Sequence, residues 1–300
     1  MPFMATIVYI CRSQIDYMFK LMILAAVVAS FFSLDRDFRY KCNYQEVHDS
    51  LVVMLDRTFP GKDKAQVYWR LSRTALMMGE NAQGKAEKRI FFTKGIEYAE
   101  LGMKEDSWSR ECYMWHCANL GRDCQTRNIM EQAAAVPKMM KDLTTILDKM
   151  EAVDYSEAWQ ALSEIYYNHP MKSSDAALAY ARKAATCIPS DELRISTYTY
   201  LAQLLYKRNN SARKRELEAG QNCEEFNKSY SSNIDKFAYY NGTKSYMPWS
   251  VKPYSSLSDR EEAALVASYA RGVYTSCSNP TPLDKEDYNK LVEFTEKFLK

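Results

Sequence analysis

Three cysteines and a histidine near the middle of the sequence are its most promising metal ligands. Cys112 and His116 are four residues apart, and Cys117 and Cys124 follow closely. Residues four apart share one face of a helix, so a thiolate and an imidazole there could bind zinc together. Structural zinc sites usually contain two cysteines separated by two residues, and this group has no such pair. We therefore predict that these cysteines pack in the core and that the protein has no metal site.

Nucleophilic catalysis requires a cysteine or serine, a base and an orienting carboxylate in mutual contact. Cys117 directly follows His116, and adjacent residues of a helix point in different directions. The sequence also lacks a G-x-S-x-G elbow, a phosphate-binding P-loop, a dinucleotide fingerprint and an H-E-x-x-H motif. We predict that the protein is not an enzyme and uses no cofactor.

Two further groups are candidates for binding a partner. A basic cluster around a predicted helix–helix turn could attract an acidic partner or lipid headgroups, or it could only complement a helix C-terminus. This cluster comprises Lys207, Arg208, Arg213, Lys214 and Arg215. Aromatic residues further along could anchor a partner on a concave face, or they could pack a loose segment. They are Tyr239, Tyr240, Tyr246 and Trp249.

The overall composition restricts the scaffold that can carry these groups. The chain has 9 glycines and 9 prolines, which is 18 of 300 residues or 6%, about half the usual share of ~12%. So few turn-forming residues leave little room for a β-sandwich or barrel, and they favour a helical protein. The 40 basic and 38 acidic side chains give a net charge of +2, which offers no reason to expect a nucleic acid partner. We predict none.

Apolar residues recur every three or four positions from Asn43 onward, between short polar breaks. This spacing predicts a series of amphipathic helices. The clearest stripe runs from Val136 to Met150. Because proline is tolerated in the first turn of a helix, Pro137 predicts one helix over residues 126–135 and another over residues 137–150.

Capping motifs predict where several helices begin and end. Asn43–Glu46 has the form of a capping box, and Ser258–Glu261 and Thr281–Asp284 both look like N-terminal caps. Gly272 is expected to end the first of the two C-terminal helices.

Helices joined by short connections pack antiparallel, and stacked pairs of this kind form an α-solenoid. We predict a targeting segment at residues 1–34, a helical-repeat domain at 43–228, an irregular tyrosine-rich connection at 229–257 and a C-terminal helical pair at 258–300. Within the repeats, one set of small residues has the spacing found in the second helix of a tetratricopeptide repeat. The set is Ala177, Ala181, Ala184 and Pro189.

Three short segments also resemble a known family. They are Tyr68-Trp-Arg-Leu-Ser-Arg73, Lys94-Gly-Ile-Glu-Tyr-Ala99 and Tyr113-Met-Trp115. Their order and spacing are similar to the helical-repeat domain of the regulator of microtubule dynamics family and its bacterial relatives, over roughly residues 63–225. Some members of that family associate with microtubules or tether organelles. The matching residues are packing residues, so the resemblance implies the fold alone.

The N-terminal region has the pattern of a targeting segment. Leu21–Leu34 is apolar and uncharged, Lys20 precedes it, and Val28-Ala29-Ser30 supplies small residues for cleavage. These features are typical of a secretory signal, and the run is shorter than the ~20 residues that span a bilayer. We predict export to the periplasm or the exterior. An uncleaved membrane anchor at residues 18–34 and a buried helix are the alternatives.

These patterns together predict an all-α protein, namely a tetratricopeptide-like α-solenoid of antiparallel helix pairs with a C-terminal helical extension. We predict a non-enzymatic scaffold that binds a protein or peptide on its concave face. The alternative is an exported component that holds a small molecule or lipid in the solenoid lumen. An aromatic-lined pocket at residues 230–254 would favour the alternative, and an open groove would favour the scaffold.

Overall fold

The computed structural model describes residues 29–168, 173–242 and 247–299, and these ranges are helical without any strand. The all-α prediction is therefore confirmed for the described chain. The helices are α1 (residues 29–40), α2 (Tyr44–Leu55), α3 (Lys62–Asn81), α4 (Lys85–Glu105), α5 (Arg110–Gln125), α6 (Ile129–Thr144), α7 (Ser156–Asn168), α8 (Ser174–Thr186), α9 (Ile195–Arg208), α10 (Ala212–Phe226), α11 (Asn233–Phe237), α12 (Asp259–Ser276) and α13 (Pro282–Phe298). None of them is long and apolar enough to span a membrane.

Helices that follow one another in the chain pack against one another. Neighbours from α2 to α6 are in contact pairwise, as are α7 with α8 and α8 with α9. At the C-terminal end, both α12 and α13 pack against α9 and share its hydrophobic core. The core thus passes continuously from the central helices into the C-terminal pair.

The predicted targeting segment lies mostly outside the described residues, which begin at residue 29. Residues 29–34 belong to α1. Phe31 of this helix is buried in a cluster with Val47 and Leu51 of α2 and Leu71 of α3. The described end of the segment therefore packs on the helical core.

Helix α6 differs from the sequence prediction of two helices. It continues from Ile129 through Pro137 to Thr144. The side chain of Asn128 caps its start in a capping box with Glu131, and the interior proline removes only one backbone hydrogen bond, to the exposed Ala133. A π-helical turn, Thr145–Lys149, follows α6 directly.

The capping predictions hold at the C-terminal helices and fail at α2. Ser258 with Glu261 and Thr281 with Asp284 form complete capping boxes. The Asn43 side chain makes no cap hydrogen bond. Helix α12 also passes beyond Gly272, where Tyr274 stacks on Tyr288 of α13 with ring centroids 3.9 Å apart. That contact stabilises the additional turn.

Small residues allow helices α3, α4 and α5 to approach closely. The carbonyl of Gly95 accepts a hydrogen bond from the buried Ser72 hydroxyl at 2.8 Å. The Asn119 amide donates to the same hydroxyl at 3.1 Å and to the Ser72 carbonyl at 3.2 Å. A Cβ atom on Gly95 would overlap the Asn119 side chain. This contact requires glycine at position 95.

The tyrosine-rich connection is organised around a buried charge network. Glu262 accepts hydrogen bonds from Arg182 at 2.6 and 3.0 Å, from Arg215 at 2.7 Å and from the Trp249 indole at 3.2 Å. Both arginines are fully buried, and their guanidinium carbons lie 4.4 and 4.3 Å from the ring centroid of Tyr254. The network joins α8, α10 and α12 to the connection.

Gly95→Ala should destabilise the protein by about 1–3 kcal/mol, because the new methyl group overpacks the α4–α5 contact. Gly272→Ala is the matched control. Gly272 is helical and exposed with open space around it, so alanine there should stabilise by about 0.5–1 kcal/mol. Urea denaturation of both variants measures the difference. Equal stabilities would contradict the close approach.

Glu262→Gln should destabilise by about 3–5 kcal/mol at neutral pH, since it leaves the buried Arg182 without a counter-charge and leaves the buried Arg215 only Asp259, 3.3 Å away. Burial raises the pKa of Glu262, but Arg182 and Arg215 outweigh this effect and hold the pKa below its ordinary value of 4.5. The carboxylate therefore stabilises the fold fully above pH ~4.5 and loses that effect as the pH falls through the lowered pKa.

The difference in unfolding free energy between wild type and Glu262→Gln should accordingly shrink below pH ~4.5. Glu261→Gln, one residue away in an exposed capping box, is the control and should cost about 1 kcal/mol or less. A Glu262→Gln protein as stable as this control at neutral pH would contradict the network's role.

Candidate binding cleft

The cysteine group is part of the core. Cys112, Cys117 and Cys124 are all buried, and the Cys112 thiol lies 3.8 Å from the carbonyl oxygen of Ala65. Burial raises the pKa of Cys112 to about 12 and raises that of Cys117 well above its ordinary value. In the part of the chain that the structure describes, no group of three or more histidine, cysteine or acidic side chains is arranged to hold a metal ion. These thiols act as small apolar packing groups.

His116 contacts a carboxylate of α6. Its Nδ1 lies 2.6 Å from a carboxylate oxygen of Asp142, and its Nε2 lies 3.7 Å from a carboxylate oxygen of Glu100. Burial raises the pKa of Asp142, and the bond to His116 offsets only part of this effect. His116 and Asp142 are 26 positions apart in the sequence, so sequence reasoning did not predict this pair. Only the packing of α5 on α6 brings the two side chains together.

The His116–Asp142 pair lines a cleft of about 620 Å³ between α4, α5 and α6. The cleft walls are mainly apolar and contain Ile96, Met103, Trp108, Leu120 and Met150. Trp108 keeps 67% of its surface exposed, more than any of the other four tryptophans. Its large apolar ring is thus available for a partner, as at many protein interfaces.

One edge of this cleft is cationic. Lys138, Lys141 and Lys149 line it from α6 and the π-helical turn, and all three are exposed. They take part in none of the ion pairs found among the described residues. Glu100 is the exposed acidic group of the lining, while Asp142 is buried against His116. The free positive charges therefore outnumber the free negative ones.

A second groove of about 710 Å³ lies between α2, α3 and α4. Its apolar residues include Ile90, which is 68% exposed. The His48 ring bonds the Tyr98 hydroxyl there at 3.2 Å, and Lys94 pairs with Glu97 at 2.9 Å. Because its lysine already has a partner, this groove offers less to a ligand than the α4–α6 cleft.

The predicted basic cluster does not form one exposed patch. Arg208 pairs with Asp259 at 2.7 and 2.8 Å, and the fully buried Arg215 pairs with Glu262. Both arginines belong to the interior network, because they pair with buried acidic side chains of α12. They therefore do not contribute to a surface that could bind a partner. Lys207, Arg213 and Lys214 are the exposed members.

The predicted aromatic group is also mostly interior. Tyr240 and Trp249 are 4% and 5% exposed and pack in the core with α8, α9 and α12. The half-buried Tyr239 stacks on Tyr230 at 6.3 Å between ring centroids. Tyr246 lies outside the described residues. The described members therefore pack the connection and do not line the cleft.

The buried thiols should resist modification in the folded protein. Cys112, Cys117 and Cys124 should react with iodoacetamide only after unfolding, because burial excludes the reagent and raises the pKa of each thiol. The exposed Cys223 is the internal control and should react at once. Peptide mapping by mass spectrometry before and after denaturation measures both. Rapid native labelling of Cys112 or Cys117 would contradict a purely structural role.

No model of a known protein family matches this chain, and no curated protein is similar to it at a significant level. A function for the chain therefore has to follow from the geometry of its surface. Within the described residues, the α4–α6 cleft is where an exposed aromatic side chain, apolar walls and free charges occur together.

Proposed function

We propose that this protein is a non-enzymatic helical-repeat scaffold that binds a protein or peptide partner in the α4–α6 cleft. The observation that carries the proposal is Trp108, a large aromatic side chain left exposed on an apolar cleft. Exposed aromatic anchors of this kind dominate the binding energy of many protein interfaces. A groove between helices suits a peptide segment, which contributes its own side chains to the apolar walls.

The arrangement of the helices is proposed to be a tetratricopeptide-like solenoid related to the regulator of microtubule dynamics family. Two features support this proposal. Consecutive helices pack in sequence from α2 to α6, and the α8 alanines that match the repeat pattern are buried at 0–1% exposure, namely Ala177, Ala181 and Ala184. Export, or anchoring through residues 18–34, remains part of this proposal.

The shape of the cleft favours a peptide over the alternative of a small molecule or lipid held in a lumen. A pocket lined by the aromatic residues of 230–254 is the feature that would favour that alternative. Tyr240 and Trp249 instead fill the core, and the α4–α6 cleft opens to solvent along the exposed Trp108 and Lys138. An open cleft admits a chain that continues beyond both of its ends.

A phage-displayed library of random 12-residue peptides tests the proposal. We expect the wild-type protein to enrich a family of related peptides, and we expect binding of these peptides to fall at least about tenfold in Trp108→Ala, because a truncated aromatic hot spot typically costs 2 kcal/mol or more. Binding should also shift Trp108 fluorescence to shorter wavelength. Leu217→Ala, at a 74%-exposed site on α10, is the control and should bind normally.

Two results would contradict the scaffold proposal. One is a selection that yields no peptide whose binding depends on Trp108. The other is saturable binding of oleate that quenches Trp108 while selected peptides fail to compete, which would favour the ligand-binding alternative.

A further inference from the structure

We infer that the partner of the α4–α6 cleft is an acidic peptide that also carries apolar or aromatic side chains. This inference rests on the proposed function and adds the chemistry of the partner. Its basis is the juxtaposition of three lysines, which form no ion pair among the described residues, with the apolar wall that contains Trp108. The name "lysine edge" is used below for Lys138, Lys141 and Lys149.

The lysine edge extends along α6 and the π-helical turn. Lys138 and Lys141 are one helical turn apart on α6, about 4.5 Å along its axis at 1.5 Å per residue. Lys149 lies at the end of the π-helical turn, about 12 Å beyond Lys141 on the same scale. Same-side residues of an extended peptide repeat every ~6.8 Å. Acidic side chains at alternate positions over five residues would therefore span the distance between Lys141 and Lys149.

The acidic residues of the cleft do not neutralise this edge. Asp142 is buried and is held by His116 at 2.6 Å. Glu100 lies on α4 with a carboxylate oxygen 3.7 Å from the other nitrogen of His116. Both carboxyl groups are thus directed to the same imidazole. None of the three ammonium groups forms an ion pair within 4 Å among the described residues, and Lys141 acts on Asp142 only at longer range. A partner with carboxylates would supply the missing counter-charges.

An acidic peptide fits these observations better than other anionic partners. A nucleic acid requires a broad positive surface that neutralises many phosphates, whereas the chain has a net charge of +2 and no arginine lines the cleft among the described residues. A membrane surface requires a flat or convex basic patch. The lysine edge instead borders a concave cleft with Met103, Trp108 and Met150 on its walls.

The test compares two charge-reversed proteins in the same peptide selection. One carries Lys138→Glu, Lys141→Glu and Lys149→Glu. The control carries Lys252→Glu, Lys285→Glu and Lys297→Glu, which reverses three exposed lysines outside the cleft. Both proteins have the same net charge, and circular dichroism confirms that each is folded.

We expect wild type and control to enrich peptides rich in Asp and Glu next to aromatic or apolar residues. The lysine-edge variant should enrich peptides rich in Lys and Arg instead. The acidic peptides selected by wild type should bind the lysine-edge variant at least about tenfold more weakly, because three attractive pairs become repulsive. Their affinity for wild type should also fall several-fold between 50 and 500 mM KCl through screening.

The outcomes separate this inference from the proposed function. Selected peptides that need Trp108 but are neutral, and that bind the lysine-edge variant as tightly as wild type, would overturn the acidic partner and leave the scaffold proposal standing. A selection without any Trp108-dependent peptide would overturn both. Binding to phosphatidylserine vesicles that is lost in the lysine-edge variant, with no binding of acidic peptides, would replace the peptide with a lipid surface.

Discussion

Compensation of buried charge is the constraint on which the C-terminal half of this protein depends. Arg182 and Arg215 are removed from water entirely, and the cost of their desolvation is offset by Glu262, which pairs with both, and by Asp259, which pairs with Arg215. Helices α8, α10 and α12 must therefore converge before any one of them is stable. The Tyr254 ring lies against both guanidinium groups. This contact fixes the position of the tyrosine-rich connection, which glycine and proline residues interrupt.

The same constraint shapes the surface that is left for binding. Arg208 and Arg215 form ion pairs with acidic side chains of α12. The basic cluster that is prominent in the sequence therefore serves mainly to stabilise the fold. The lysine edge on α6 and the π-helical turn forms no ion pair within the described part of the chain, and its side chains stay in solvent beside an apolar cleft. The contact among Ser72, Gly95 and Asn119 holds α3, α4 and α5 together, so one wall of that cleft is rigid and a partner need not order it.

Sequence reasoning reached the helical class, the N-terminal caps of both C-terminal helices and the burial of Cys112, Cys117 and Cys124, because each depends on local spacing. It did not find the His116–Asp142 pair or the burial of Arg215, whose partners lie 26 and 47 residues away in the chain. Only tertiary packing decides such contacts. The prediction of two helices divided at Pro137 was wrong. The Asn128 cap starts α6 upstream of Pro137, and the helix continues through the proline with the loss of one backbone hydrogen bond. The residues around Trp108 in the sequence did not predict that its side chain would remain exposed.

The number of residues in the π-helical turn after α6 determines where the side chains at one end of the cleft lie. The amide of Met150 bonds the carbonyl of Thr145, five residues back, so this turn contains one residue more than an α-helical turn. Each residue of an α-helix rotates the chain by about 100°. Deletion of a single residue from this turn would rotate Lys149 and Met150 about the helix axis by roughly that angle, while Lys141 would keep its position. An insertion or deletion at this point could thus change binding preference during evolution without any side-chain replacement.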